Sequence, residues 1–100
     1  MTKFLSSAAI IAALVASAGV ARAADPDFCR DYARSAIDQY HRAVDLHCDW
    51  LLRDQAVWSP DYPHHYNWCR GVSREQADQG RDQRRDALDR CRDRRDNGGY

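Results

Sequence analysis

The sequence predicts an all-α fold, a disulfide-stapled antiparallel helical hairpin with a long aromatic-rich turn, after a cleaved signal peptide. Three observations lead to this prediction. The chain has only 100 residues, enough for one small domain. Apolar residues recur with helical spacing in two segments. Four cysteines follow an apolar export signal, the pattern of small exported proteins that depend on disulfides.

An export signal is predicted at residues 1–23. Lys3 precedes an apolar run from Phe4 to Val20, and Ala21-Arg22-Ala23 fits the small-x-small pattern read by signal peptidase. The run is shorter than the ~20 residues of a spanning helix, so cleavage after Ala23 is preferred to a membrane anchor. The remaining chain, residues 24–100, is expected to form one domain that is periplasmic or secreted and has no membrane span.

The first helix is predicted over about 26–56. Asp25 suits the N-cap and Pro26 the first helical position. Small and apolar residues then recur every three or four positions, and Ser59-Pro60 closes the helix. His47 lies near the centre of this stripe and is expected to be buried.

The second helix is predicted over about 74–95, after a loop at about 57–72. Ser73 with Gln76 three residues later forms a capping box. The inward face has few large residues, and Gly80 weakens the helix by ~1 kcal/mol relative to alanine. In exchange, Gly80 lets aromatic rings of the first helix approach closely.

The cysteines are expected to form two structural disulfides, for which three pairings exist. Cys29 and Cys48 would lie ~28 Å apart on one continuous helix and could not bond. Joining Cys29 to Cys69 would require a linker that runs back along the whole first helix. An antiparallel hairpin avoids both problems, and it predicts Cys29–Cys91 and Cys48–Cys69.

The aromatic turn is the candidate contact surface, because all three tryptophans lie between residues 50 and 69. Rigid aromatic side chains with polar tips are favoured at interfaces. The alternative is a small core around the bridge at the turn. In a mixed arrangement Trp58 and Tyr62 are the rings expected to face water. The candidate binding residues are Trp58, Tyr62, His64, His65, Tyr66 and Trp68.

A metal site is the second interpretation of the histidines. His64 or His65 could join Asp61, and His41 could join Asp45 one turn later, since imidazoles suit zinc, copper and nickel. Adjacent histidines rarely bind one ion, and no H-x-x-x-H spacing occurs. We therefore expect no cofactor and no metal.

Arginines and aspartates are interleaved through residues 81–96, which predicts a solvated helix face. Three pairs have helical ion-pair spacing: Asp82 with Arg85, Asp86 with Arg90, and Asp89 with Arg92. No continuous basic strip remains for nucleic acid. The chain also lacks the common motifs of nucleophilic, metal-dependent and phosphate-binding enzymes, so catalysis is not expected.

The chain resembles a group of short exported four-cysteine proteins of proteobacteria with no known activity. The resemblance covers about residues 28–72 and implies no catalytic residue. In the group a glycine-rich turn often follows the second cysteine, whereas Asp49-Trp50-Leu51 stands here, which implies a longer first helix. The residues that carry the resemblance are Cys29, Tyr32-Ala33, Ala36, Gln39, Cys48, Trp58, Tyr62, His65 and Trp68-Cys69.

Together these features predict a non-catalytic exported binding or structural protein of the cell envelope. It would contact an envelope protein or a wall glycan through the aromatic turn. The alternative is a periplasmic metal-binding or stress-responsive helical protein. A homodimer is also compatible with the sequence.

Overall fold

A computed structural model describes residues 22–97, which are mostly helical and contain no strand. The four helices are α1 (Pro26–Asp45), α2 (Asp49–Leu52), α3 (Tyr62–Arg70) and α4 (Arg74–Asp96). The helical class and the participation of all four cysteines in disulfides are confirmed. The hairpin topology is not what the described residues form.

The start of α1 follows the predicted signals, but its end does not. The Asp25 carboxylate accepts a hydrogen bond from the Phe28 amide at 2.8 Å, and Pro26 is the first helical residue. The helix ends at Asp45 instead of near residue 56. The predicted end was wrong because it depended on two signals. Pro60 was the expected stop of the helix, and the absence of a glycine-rich turn after Cys48 implied a longer helix.

A Schellman motif terminates α1 without a glycine. The Cys48 amide donates to the Ala43 carbonyl at 2.9 Å, and the His47 amide donates to the Val44 carbonyl at 3.0 Å. His47 occupies the left-handed position with φ of 58°. The side chain of His47 is exposed, so its predicted burial was wrong. The apolar stripe is broken at this point because the helix has already ended.

The α4 helix begins where the sequence predicts and ends one residue later than predicted. The Ser73 hydroxyl accepts from the Gln76 amide at 3.1 Å, while the Gln76 side chain accepts from the Ser73 amide at 3.1 Å. Two of the three predicted ion pairs on this helix form, Arg85–Asp82 at 2.9 Å and Arg92–Asp89 at 3.2 Å. These local features need only neighbours in sequence, which explains why the sequence predicts them.

The helices α1 and α4 run parallel, because residues later in α1 contact residues later in α4. Tyr32 meets Arg84 near the middle, Ala43 shares a cluster with Leu88, and Cys48 reaches Cys91 beyond the end of α1. The chain returns between them through residues 46–61 and α3. This crossover replaces the predicted antiparallel hairpin.

The disulfides are Cys29–Cys69 and Cys48–Cys91, so the predicted pairing was wrong. The linker argument against Cys29–Cys69 assumed a first helix that continued to residue 56. With α1 ending at Asp45, the chain from residue 46 has enough length to return to Cys29. The predicted bridge at the turn therefore does not exist.

Two small apolar clusters form the core, and each contains one disulfide. The lower cluster is composed of Ala24, Cys29, Tyr32, Cys69 and Ala77. The upper cluster is composed of Ala43, Cys48, Trp58, Leu88 and Cys91. Buried polar side chains, Gln39 and Arg84, lie between the two clusters. Neither cluster is large, so the disulfides have a large share in holding the helices together.

The segment before α1 is attached to the start of α4. The buried Ala24 donates its amide hydrogen to the Val72 carbonyl at 2.9 Å, and Ala23 forms an isolated bridge with Ser73. The predicted export signal lies outside the described residues except for Arg22 and Ala23. Within residues 22–97, no helix combines the length and the apolar character needed to cross a membrane.

We predict that His47→Gly raises the free energy of unfolding by about 1 kcal/mol, because glycine adopts a positive φ without the clash of a β-carbon. Urea unfolding of the oxidised protein measures the change. The matched control is His41→Gly, an exposed position within α1, which we expect to lower stability by about 0.5 kcal/mol. Equal effects of the two glycines would contradict the assigned helix end.

We predict that replacing either cysteine pair by alanine lowers the free energy of unfolding by about 2–4 kcal/mol. The bridged residues are 40 and 43 positions apart, so each bond restricts a long loop in the unfolded chain. Chemical denaturation of the two double variants measures the loss, and non-reducing peptide mapping checks the pairing. A Cys48–Cys69 peptide in the map would overturn the topology.

Candidate functional site

A cavity of about 260 Å³ opens beside the aromatic residues and is the candidate functional site. The helix α3 contributes three side chains to its wall, α4 contributes residues from one face, and α1 contributes Tyr32. Residues just before α3 close the remaining side. Its full lining is Tyr32, Ala56, Val57, His64, His65, Trp68, Gly80, Gln83 and Arg84.

Arg84 provides the charge of the cavity. Its side chain is only 4% exposed, yet it forms no ion pair with any carboxylate among residues 22–97. Arg84 Nε donates to Gln39 Oε1 at 2.7 Å, and Arg84 Nη2 donates to the Tyr32 hydroxyl at 2.9 Å. Both acceptors are neutral. The guanidinium carbon also lies 5.2 Å from the centroid of the Tyr32 ring. The described residues therefore hold the guanidinium with hydrogen bonds and an aromatic face, and none of them places a negative charge within ion-pair distance of it.

Tyr32 and Trp68 form the aromatic wall. Their ring centroids lie 5.5 Å apart, and both rings approach α4 at Gly80. A β-carbon added at Gly80 would lie 3.3 Å from the Tyr32 hydroxyl and 3.5 Å from the Trp68 ring. The predicted close approach at Gly80 is thus present, with Trp68 of α3 joining the ring from the first helix.

The two adjacent histidines have different surroundings. His64 is exposed and its Nε2 lies 2.8 Å from the Ala56 carbonyl, whereas His65 is buried and its Nε2 lies 2.8 Å from the Ser59 carbonyl. Because a carbonyl oxygen only accepts, each Nε2 carries the hydrogen and donates it. These two bonds fix the segment before α3 against the helix and position one wall of the cavity.

Burial lowers the pKa of His65 below its usual value of 6.5. The positive charge of Arg84 and the electrostatic influence of the neighbouring His64 act in the same direction, while the hydrogen bond to Ser59 and the carboxylate of Asp61 oppose it. His65 is therefore neutral in the folded protein at neutral pH. Its neutral form also avoids a second positive charge next to the unpaired guanidinium.

The predicted contact residues fall into three groups. Trp58 is 5% exposed and belongs to the upper cluster, so the expectation that it faces water was wrong. Tyr62 and Tyr66 are half-buried and stacked, with centroids 6.0 Å apart. Of the three tryptophans, Trp68 is exposed by 43% and Trp50 by 40%. The structure brings His64, His65 and Trp68 together at the cavity, and it leaves Trp58 in the core.

Sequence reasoning missed Arg84, Tyr32 and Gln39 as site residues. Arg84 was counted among the solvated arginines of the charged helix, but it occupies a position of the buried stripe. Its neighbours in that stripe, Gly80 and Leu88, lie four residues to either side. An arginine at such a position is the signal that could have identified the site, because a charge on the buried face requires a specific partner.

Two other cavities offer weaker chemistry. A groove of about 270 Å³ between α1 and α4 is charged, but Arg85 and Arg92 there are paired with aspartates. A second of about 460 Å³ lies where the guanidinium of Arg94 covers the Trp50 ring at 4.7 Å. The remaining cations there include Arg42 and Arg90, which are exposed to solvent, unlike the buried Arg84.

The metal interpretation finds no ligand set in the described part of the chain. Within residues 22–97 no three histidine, cysteine, aspartate or glutamate side chains are placed to hold an ion. The four cysteines all form disulfides, and the Nε2 atoms of His64 and His65 each donate a hydrogen bond to a backbone carbonyl.

Comparisons with models of protein families, with curated proteins and with solved structures found no match to this chain. The interpretation of the cavity therefore depends on its own geometry and chemistry.

We predict that the folded protein loses stability as the pH falls below about 6.5, because the unfolded chain then protonates His65 while the folded state resists it. Above about pH 6.5 His65 is mostly neutral in both the folded and the unfolded chain, so its titration no longer lowers the free energy of unfolding. Urea unfolding at about pH 7.5 and about pH 5.5 measures the slope. We expect His65→Gln, which keeps a donor for Ser59, to reduce the slope and His64→Gln to retain it. A slope unchanged by His65→Gln would contradict the assignment.

Proposed function

We propose that the protein is a non-catalytic exported binding protein of the cell envelope. Its contact face consists of α3 and the preceding turn, at the mouth of the cavity beside Arg84. The partner is an envelope protein or a wall glycan. The two disulfides support the export part of this proposal, because disulfides form and persist mainly in oxidising compartments outside the cytosol.

The observation that carries the proposal is the position of Trp68. Its ring is 43% exposed, although it is fixed against Tyr32 and the backbone of α4 at Gly80. A rigid, partly exposed tryptophan loses little conformational entropy on binding, and tryptophan is enriched among residues that dominate binding energy. The exposed Val57 extends the apolar surface at the cavity mouth.

The lining of the cavity supports binding over catalysis. It contains no serine, cysteine, aspartate or glutamate. The two histidines are each engaged with a backbone carbonyl, and the Tyr32 hydroxyl is engaged with Arg84. No nucleophile with an adjacent base is present in this wall. The groups that remain can hold and orient a molecule.

We predict that Trp68→Ala weakens capture of the partner from an envelope fraction by at least about tenfold, the effect of a residue that contributes more than about 1.4 kcal/mol. Quantitative pull-down against purified wall material and against envelope proteins measures the change and identifies the class of partner.

The matched control is Trp50→Ala. Trp50 is 40% exposed, similar to Trp68, but lies in α2 away from the cavity. Circular dichroism and urea unfolding confirm that both variants are folded. Equal binding by wild type and Trp68→Ala would refute the proposed face, as would an equal loss in Trp50→Ala. Trp58→Ala is unsuitable for this purpose, because removing a core ring costs about 3–5 kcal/mol of stability.

A further inference from the structure

We infer that the cavity beside Arg84 binds the carboxylate of a small ligand that has an apolar body. This inference is built on the proposed function and specifies which part of a partner enters the cavity. The carboxylate could belong to a free organic acid or to the C-terminus of a peptide. Both sources present the same chemistry, a planar anion next to an apolar group.

Arg84 carries a buried positive charge. A buried guanidinium is costly unless an anion accompanies it, since neutral acceptors compensate only part of the lost hydration. Among the described residues Arg84 has two neutral acceptors and no carboxylate within ion-pair distance. An anionic ligand would supply the missing charge. Arginine is well suited to this task because its planar donors match the geometry of a carboxylate.

One nitrogen of that guanidinium remains available to a ligand. Arg84 Nη1 makes no hydrogen bond to residues 22–97, whereas Nε and Nη2 are both engaged. The only fully enclosed side-chain polar atom without a partner in this range is Arg81 Nε. Arg84 Nη1 therefore retains accessible surface, and Arg84 lines the cavity. Gln39 and Tyr32 hold the other two nitrogens, so the donor is already oriented before a ligand arrives.

The remainder of the cavity wall suits an apolar group. Most of the wall around the single positive charge is apolar, and this part consists of Tyr32, Trp68, Ala56 and Val57. Both rings pack directly against the backbone of α4 at Gly80, which fixes their positions in the wall. No acidic residue lines the cavity, so nothing there repels an anion. A volume of about 260 Å³ is slightly below the ~300–1,000 Å³ typical of pockets for drug-sized ligands, which points to a small acid or one terminal residue.

The inference is tested by titrating the oxidised exported protein with phenylacetate and with its neutral analogue phenylacetamide, following backbone amide shifts by NMR. A tripeptide ending in phenylalanine, with a free or an amidated C-terminus, tests the peptide source. We expect saturable shifts at Gly80, His64 and Trp68 with the carboxylate form of at least one pair. The neutral form of that pair should bind at least about tenfold more weakly.

Two glutamine variants provide a matched comparison. Gln83→Glu places a carboxylate in the cavity wall beside Arg84, and we expect it to weaken carboxylate binding at least about fivefold. Gln79→Glu changes the net charge equally on an exposed position of α4 outside the cavity, and it should leave binding unchanged. Arg84→Gln should abolish binding. If that variant fails to fold, the comparison of Gln83→Glu with Gln79→Glu still tests whether a negative charge beside Arg84 weakens carboxylate binding.

The inference is wrong if the neutral forms bind as tightly as the carboxylates, if Gln83→Glu binds like wild type, or if neither carboxylate gives saturable shifts at millimolar concentration. Binding by the free-acid peptide without binding by phenylacetate would support the inference and identify the peptide source. Failure here is distinguishable from failure of the proposed function. A protein that loses its partner in Trp68→Ala, yet ignores carboxylates, retains the contact face without the inferred ligand chemistry.

Discussion

The end of α1 at Asp45 is the constraint on which the rest of the structure depends. Because the helix ends there, the following chain is long enough to return along α1 and bring Cys69 to Cys29. The return makes α1 and α4 parallel, which places Gln39 and Tyr32 opposite Arg84. A first helix that continued to residue 56 would remove this crossover. The cavity would then have no wall from α3.

The local features of the helices could be predicted from the sequence, because each involves residues a few positions apart. The Asp25 cap, the Ser73 capping box and the close approach at Gly80 all follow from side-chain chemistry at known spacing. The end of α1 at Asp45, followed by the left-handed residue His47, could not be predicted in the same way. Its Schellman hydrogen bonds involve only backbone atoms, and the left-handed residue is not a glycine.

The errors in topology and in the placement of Trp58 follow from that one missed boundary, whereas the error at Arg84 has a separate cause. The disulfide pairing was chosen by a length argument that used the wrong helix end. Trp58 was assigned to a turn surface, although the crossover places it against Leu88 in the core. Arg84 was assigned to solvent because it lies among other arginines. Only the packing of α1 and α3 on α4 distinguishes it from Arg85, its exposed neighbour in sequence.

Tyr32 belongs to two parts of the molecule at once. Its ring packs in the cluster that contains the Cys29–Cys69 bond, and its hydroxyl holds the guanidinium at the cavity. The orientation of the arginine is therefore tied to the oxidation of a cysteine pair. We expect reduction of the Cys29–Cys69 bond to loosen the packing of Tyr32 and, with it, the orientation of Arg84. Any binding at the cavity would then depend on the oxidation state of that cysteine pair.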